Sequence, residues 1–169
     1  MGQKGIKNIG FIFSILLLGF SSEIIAQENP PIPISVEVNT ARNLNFGTFT
    51  VGATGGSLSV SYDDILTPNL DVFPLNYGDS PSAALFDVTA NPGTIISIIT
   101  PGQITLTGSN GGQIYLSIDS FSTGQTFVTT AQPPNVNEVY VGGTLNIPGH
   151  SEDLTGSYNG TFTLEFIHQ

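Results

Sequence analysis

The chain has no cysteine and no tryptophan, and only three of its 169 residues are lysine or arginine. Without cysteine no disulfide or lipidated cysteine can form, so packing and strand pairing must stabilise the fold. The shortage of basic residues removes the usual phosphate contacts and argues against nucleic acid and anionic membranes as partners. The chain has only two isolated histidines, His150 and His168, and no cysteine, which argues against a zinc site. With only five tyrosines, the chain also lacks an obvious aromatic surface for stacking on sugars.

No apolar segment at the N-terminus reaches the length of a membrane-spanning helix. The stretch from Ile9 to Phe20 is about a dozen residues, whereas a spanning helix needs about 20. Lys4 and Lys7 precede it and a polar break follows, which is the layout of a cleavable secretory signal. We therefore predict a signal peptide over residues 1–26, a proline-rich leader over 27–33 and one β-domain over 34–169. The protein should be exported to the periplasm, cell surface or extracellular space, with no stable membrane insertion after cleavage.

Signal cleavage gives a direct test of this organisation. Because Ala26 is a small residue, N-terminal sequencing of the exported protein should begin at or within a few residues of Gln27. Loss of Lys4, Lys7 and Glu23 would leave Arg42 against 12 of the 13 carboxylates, a formal charge of −11. Such a charge favours solubility. A mature protein that retains residues 1–20 would contradict both the export prediction and this charge.

Apolar residues of the β-domain recur with a period of two, which is typical of half-buried antiparallel strands. Glycine and proline turns separate these runs, at the spacing of a sandwich. We predict a single antiparallel immunoglobulin-like β-sandwich with no helix of normal length and at most a short turn near residues 63–66. The alternating runs are Ile32, Ile34, Val36 and Val38; Ala84, Phe86, Val88 and Ala90; Ile114, Leu116 and Ile118; Val139, Val141, Leu145 and Ile147; and Phe162, Leu164 and Phe166.

The Val139–Ile147 run keeps its phase across Gly142 and Gly143. Two glycines within a strand predict a bulge or a close approach of another backbone.

Three motifs resemble a known bacterial family. They are the segments LNFGTF at 44–49, VGGTLNI at 141–147 and GSYNGTFTL at 156–164. Together they resemble the bacterial domain-of-unknown-function family 4402 over roughly residues 34–169. Residues 84–93 are similar to the family's middle strand and turn, although Ala90 stands where the family pattern has glycine. The resemblance implies an exported compact β-domain, similar in fold to pilin-type and spore-coat-type subunits, and it implies no catalytic residue.

No motif in the chain points to a catalytic or cofactor site. His150, Ser151, Glu152 and Asp153 are adjacent in sequence, but a hydrolase would need convergence in space and a Gly-x-Ser-x-Gly elbow, which is missing. We interpret them as a polar loop. The carboxylates Asp63, Asp64, Asp71 and Asp79 could gather around calcium, yet their spacing matches no calcium loop. We therefore predict no catalytic, cofactor or metal residues and no enzymatic activity.

The two ends of the β-domain are candidates for protein interaction. Ile32, Ile34, Val36 and Val38 could form a donor strand that completes a neighbouring subunit, as in strand addition. Pairing of the same segment within its own domain is the alternative. Phe162, Leu164 and Phe166 could form a C-terminal strand at a sheet edge. We expect a structural or interaction subunit that binds proteins or itself at the cell surface; the alternative is an adhesin or carbohydrate-binding module on the same fold.

Overall fold

The computed structural model describes residues 34–38, 42–149 and 154–169. The predicted signal peptide and leader therefore lie outside the described residues. Within the described ranges the chain forms strands and turns but no helix, and hence none long and apolar enough to cross a membrane. The strands, in chain order, are β1 (Ser35–Val38), β2 (Thr48–Val60), β3 (Leu66–Leu75), β4 (Ala84–Thr89), β5 (Ile95–Ile99), β6 (Ile104–Thr107), β7 (Gln113–Phe121), β8 (Thr126–Val128), β9 (Asn137–Ile147) and β10 (Glu165–His168).

The strands form two antiparallel sheets. The large sheet has the order β1-β4-β9-β2-β3. In addition, β7 pairs with β9, and β6 pairs with β7. The small sheet has the order β10-β5-β8. The prediction of an all-β antiparallel sandwich is confirmed.

The core lies between the two sheets. Leu58 and Val88 from the large sheet pack in one cluster with Ile96 and Phe127 from the small sheet. Leu58, Val88 and Ile96 are fully buried. Burial of such a side chain stabilises the fold by about 1.5–3 kcal/mol. Since the described residues hold no disulfide, this burial is a main source of their stability.

The period-two pattern identified the half-buried strands correctly. In β7, Ile114, Leu116 and Ile118 are buried, whereas Tyr115 and Ser117 between them are partly exposed. The strand β4 shows the same alternation over its second half. One face of each strand therefore packs on the core, as the sequence predicted.

The strand β9 lies at the centre of the large sheet. Its first half pairs with β4 and its second half with β2, while β7 pairs along its other edge. A Cβ atom on Gly142 would overlap the carbonyl oxygen of Val60, and one on Gly143 would lie 2.6 Å from the carbonyl oxygen of Ser117. The predicted close backbone approach is confirmed. The bulge itself lies on β7, where the register shifts at Asp119.

Candidate interaction surfaces

The predicted donor segment pairs within its own domain in this structure. Residues Ser35 to Val38 form β1 and pair antiparallel with β4, with Val36 opposite Val88 and Val38 opposite Phe86. Ile34, just before the strand, is partly buried against the core. Ile32 lies outside the described residues, as do the side chains of Val36 and Val38. The strand β1 is thus at one end of the large sheet, and β4 is its only partner strand among the described residues.

The register along the edge of β4 changes just after β1. Val38 is opposite Phe86, and the N–H of the next residue on β4, Leu85, donates to the carbonyl oxygen of Arg42 at 3.4 Å. The move of one residue along β4, from Phe86 to Leu85, is therefore matched by a move of four residues along the facing chain, from Val38 to Arg42. Residues 39–41, which connect Val38 to Arg42 in the sequence, lie outside the described residues.

Arg42 anchors the chain immediately after this change of register. Its Nη2 donates to both carboxylate oxygens of Asp64, at 2.5 and 2.6 Å. Its guanidinium carbon lies 5.5 Å from the centre of the Tyr140 ring, within the range of a cation–π contact. The backbone N–H of Ala83 donates to the same Asp64 at 2.7 Å. This Arg42 cluster, formed by Arg42, Asp64 and Tyr140, fixes the start of the domain on the turn after β2 and on β9.

The Arg42 cluster should make stability depend on pH. Burial raises the pKa of Asp64, but the hydrogen bond from Ala83 and the bond and charge of Arg42 outweigh it and hold the pKa below the ordinary 3.8. The stabilisation is then present above pH 3.8 and is lost as the pH falls through the lower pKa of the folded state. Because both side chains are about one-third exposed or more, screening limits the ion pair to about 1 kcal/mol or less.

We therefore expect Asp64→Asn to lower the free energy of unfolding by about 1 kcal/mol at pH 7, with the difference vanishing under acid conditions below the folded pKa. Urea denaturation at several pH values measures this. Asp79→Asn is the matched control, because Asp79 is exposed and Arg42 forms its ion pair with Asp64 instead. A loss at pH 7 that persists unchanged in acid would contradict the charge-based explanation.

The C-terminal segment forms a shorter edge strand than predicted. The strand β10 begins at Glu165 and lies at one end of the small sheet, so Phe166 is in the edge strand while Phe162 and Leu164 precede it. All three pack on the core, but the first two do so from irregular backbone. The Phe162 and Phe166 rings lie 6.2 and 5.8 Å from the ring of Phe86. Both ends of the domain therefore meet at β4, since Val38 is also opposite Phe86.

Another edge strand of the large sheet, β3, is less suitable for the addition of a strand. It contains Pro68 and Pro74, and proline provides no N–H for an incoming strand. Its large side chains Leu70 and Phe73 are nevertheless 75% and 52% exposed. The prolines disfavour regular pairing along this edge. The strand β4 is therefore the better acceptor for an incoming strand.

The four carboxylates considered for calcium are not brought together. Asp71 accepts from both the N–H and the hydroxyl of Thr54, Asp63 accepts from the hydroxyl of Ser61, and Asp64 belongs to the Arg42 cluster. Among the described residues no group of three or more acidic, histidine or cysteine side chains could hold a metal ion. His168 lies in β10, and the loop from His150 to Asp153 lies outside the described residues.

Comparison with known proteins assigns the chain to a family. The family profile described as Domain of unknown function (DUF4402) matches residues 36–167. Comparison with curated proteins and with solved structures gives no match. The matched span begins in β1 and ends in β10, and it therefore includes both sheets. The chain is thus a member of the DUF4402 family.

Proposed function

We propose that the protein is an exported, non-catalytic subunit of the bacterial cell surface that links to further copies of itself by exchanging its N-terminal strand. The observation that carries this proposal is the pairing of β1 with the edge of β4 through four residue pairs. The proposal commits to the segment Ile32–Val38 as the donor and to β4 as the acceptor.

The same bonds can form within one chain or between two chains. If β1 of one copy occupies the β4 edge of another, every main-chain hydrogen bond of the ladder is preserved, as in domain swapping. The balance then depends on the connection, because a tethered strand has an effective concentration of about millimolar. Assembly is accordingly favoured where subunits are crowded at a surface or where the connection is strained.

The structure provides a boundary at which exchange would stop. The four pairs of β1 end at Val38, whereas Arg42 is held by Asp64. Asn45 also exchanges two backbone hydrogen bonds with Ser82, at 2.8 and 2.9 Å. Residues from Arg42 onward are therefore tied to their own domain, and residues 39–41 can act as the hinge.

Loss of β1 would leave an edge of β4 that favours the binding of another strand. Val88 is fully buried and Phe86 is 7% exposed with β1 in place. Without β1, the N–H and C=O groups along this edge of β4 lose their partners, and unpaired backbone groups favour pairing with another chain. Phe162 and Phe166 still pack against Phe86 when β1 is absent. The domain should therefore stay folded.

Deletion of residues 27–39 tests the proposal. The shortened protein should remain folded by circular dichroism but should no longer form oligomers in sedimentation analysis. A synthetic peptide of residues 27–39 should bind it, whereas a peptide with Val36→Asp and Val38→Asp should not. If the intact mature protein remains monomeric at high concentration and the deletion only unfolds it, strand exchange is wrong.

The proposal includes no catalytic step. Acidic side chains of the described residues accept hydrogen bonds from Arg42, Thr54, Ser61 and Tyr140, and no three of them come together where they could hold a metal ion. The family has no described function from which a reaction could be carried over.

A further inference from the structure

The outer face of the large sheet carries a continuous row of uncharged polar side chains. Because Leu58, Leu116 and Leu145 face the core, the alternate residues on the same strands face outward. The strand registers align five of these residues across five strands. From β6 to β3 they are Thr105, Tyr115, Asn146, Ser57 and Asn69.

A second polar row runs beside the first. It comprises Ser117, Thr144, Ser59 and Thr67, in register across β7, β9, β2 and β3. The hydroxyls of Ser59 and Thr144 are 3.0 Å apart and hydrogen-bonded. None of these nine positions is charged, although the whole chain has 13 acidic residues. These two rows are therefore rich in hydroxyl and amide groups and carry no charge.

Four residues of the first row, Ser57, Asn69, Tyr115 and Asn146, form the floor of a shallow cleft of about 460 Å³, which we call the outer cleft. It is lined by Gly56, Ser57, Asn69, Leu70, Tyr115, Asn146, Ile147 and Pro148. The cleft is open to solvent, so a ligand would lie along its surface rather than be enclosed. The cleft thus combines two side-chain amides, a serine hydroxyl and a tyrosine with apolar side chains at its rim.

Leu70 at the rim has an unusual backbone conformation. Its φ is +56°, a left-handed conformation that a leucine adopts only at an energetic cost. Its side chain is nevertheless 75% exposed, so packing in the core does not offset the energy of this backbone conformation. Backbone strain of this kind occurs preferentially at binding and active sites. Here it places an exposed apolar group beside the polar floor.

We infer that the outer cleft binds a neutral glycan. Sugar hydroxyls both donate and accept hydrogen bonds, which matches the amide of asparagine and the hydroxyls of serine and tyrosine. The apolar C–H faces of sugar rings match Leu70, Pro148 and the Tyr115 ring. Among the described residues no cation lines the cleft, and the chain has a net charge of −10, so phosphorylated, sulfated or uronic-acid glycans are repelled. The inference is independent of strand exchange, because no lining residue belongs to β1 or β4.

The test uses the mature protein with ¹⁵N labelling and four soluble probes: maltohexaose, cellohexaose, mannohexaose and the anionic hexamer of galacturonic acid. At least one neutral hexamer should shift the amide resonances of Ser57, Asn69 and Asn146, and the anionic hexamer should not. Asn146→Ala and, separately, Tyr115→Phe should each weaken binding about five- to ten-fold, since each removes hydrogen bonds to the ligand. Asn43→Ala is the matched control, because Asn43 is exposed and does not line the cleft.

Each result decides the inference. Shifts confined to the outer cleft, with affinity lost in the two cleft variants and kept in the control, support it. Absence of any shift with all three neutral hexamers at 10 mM, equal loss in Asn43→Ala, or preferential binding of the anionic hexamer overturns it. Thermal melting of each variant verifies that the fold is intact, and the exposed position of Asn146 makes unfolding by its substitution unexpected.

Discussion

Gly142→Ala is expected to destabilise the protein by about 3 kcal/mol or more, at the upper end of the usual cost of overpacking. Gly142 lies where β9 changes its partner from β4 to β2. An added Cβ would overlap the backbone oxygen of Val60, whose side chain is fully buried. Since backbone atoms within a sheet cannot move aside as a flexible side chain can, the strands must separate locally and lose packing and hydrogen bonds.

Gly102→Ala is the matched control for this substitution. A Cβ on Gly102 meets no atom within 4 Å, and its φ is not in the left-handed region. The change should therefore leave stability nearly unaltered or raise it by up to about 1 kcal/mol through the unfolded state. Urea denaturation of both variants measures the difference. Equal urea midpoints for the two variants would contradict the close approach of Gly142 to the backbone of Val60.

The sequence predicted the strands that have one buried face. Ile114, Leu116 and Ile118 alternate with polar residues, and their burial follows the same period. The strand β5 was not predicted, because isoleucine occupies both of its faces: Ile96 and Ile98 are buried whereas Ile95 and Ile99 are 44% and 47% exposed. Apolar residues on both faces remove the period-two signal.

The strand β3 was missed for a different reason. Pro68 and Pro74 interrupt it, and proline normally argues against a strand. The structure accommodates them because β3 lies at the end of the large sheet, where only one edge needs hydrogen-bond donors. This position depends on the tertiary arrangement, which local sequence patterns do not specify.

The candidate surfaces were predictable only in part. Alternation at residues 32–38 predicted a terminal strand, but whether it pairs within or between chains is not encoded in its period. Arg42 and Asp64 are 22 residues apart, and no motif connects them. The outer cleft likewise depends on the register of four strands, which places Asn69, Tyr115 and Asn146 together.

The family match agrees with the resemblance noted in the sequence. It covers residues 36–167, which lie within the β-domain predicted over 34–169. The three motifs of that resemblance are found before and at the start of β2, in β9 and in the segment before β10. They therefore belong to the strands and connections that build the sandwich.

A second large effect is expected when the exchanged strand is joined covalently to its acceptor. Ser35 is directly opposite Thr89 in the β1–β4 ladder. Opposite residues of antiparallel strands have Cα atoms about 4.5–5.5 Å apart, which fits the range required for a disulfide. Because the chain has no cysteine of its own, every disulfide of the double variant Ser35→Cys, Thr89→Cys involves only these two positions.

The control for cross-linking is the double variant Ser35→Cys, Thr67→Cys. Thr67 is exposed on β3, which pairs with β2 and not with β1 or β4. Its disulfides can arise only from random collisions or from contacts other than the β1–β4 ladder. It should therefore give few covalent products under the same oxidation.

The most direct test of strand exchange is the mass distribution of the oxidised Ser35→Cys, Thr89→Cys protein on a non-reducing gel, after concentration of the mature form. Exchange predicts a ladder of covalent dimers, trimers and longer chains that collapses to monomer on reduction and is absent from the control. A single monomeric band with both cysteines joined within one chain, at every concentration, would contradict the proposal that β1 links neighbouring subunits.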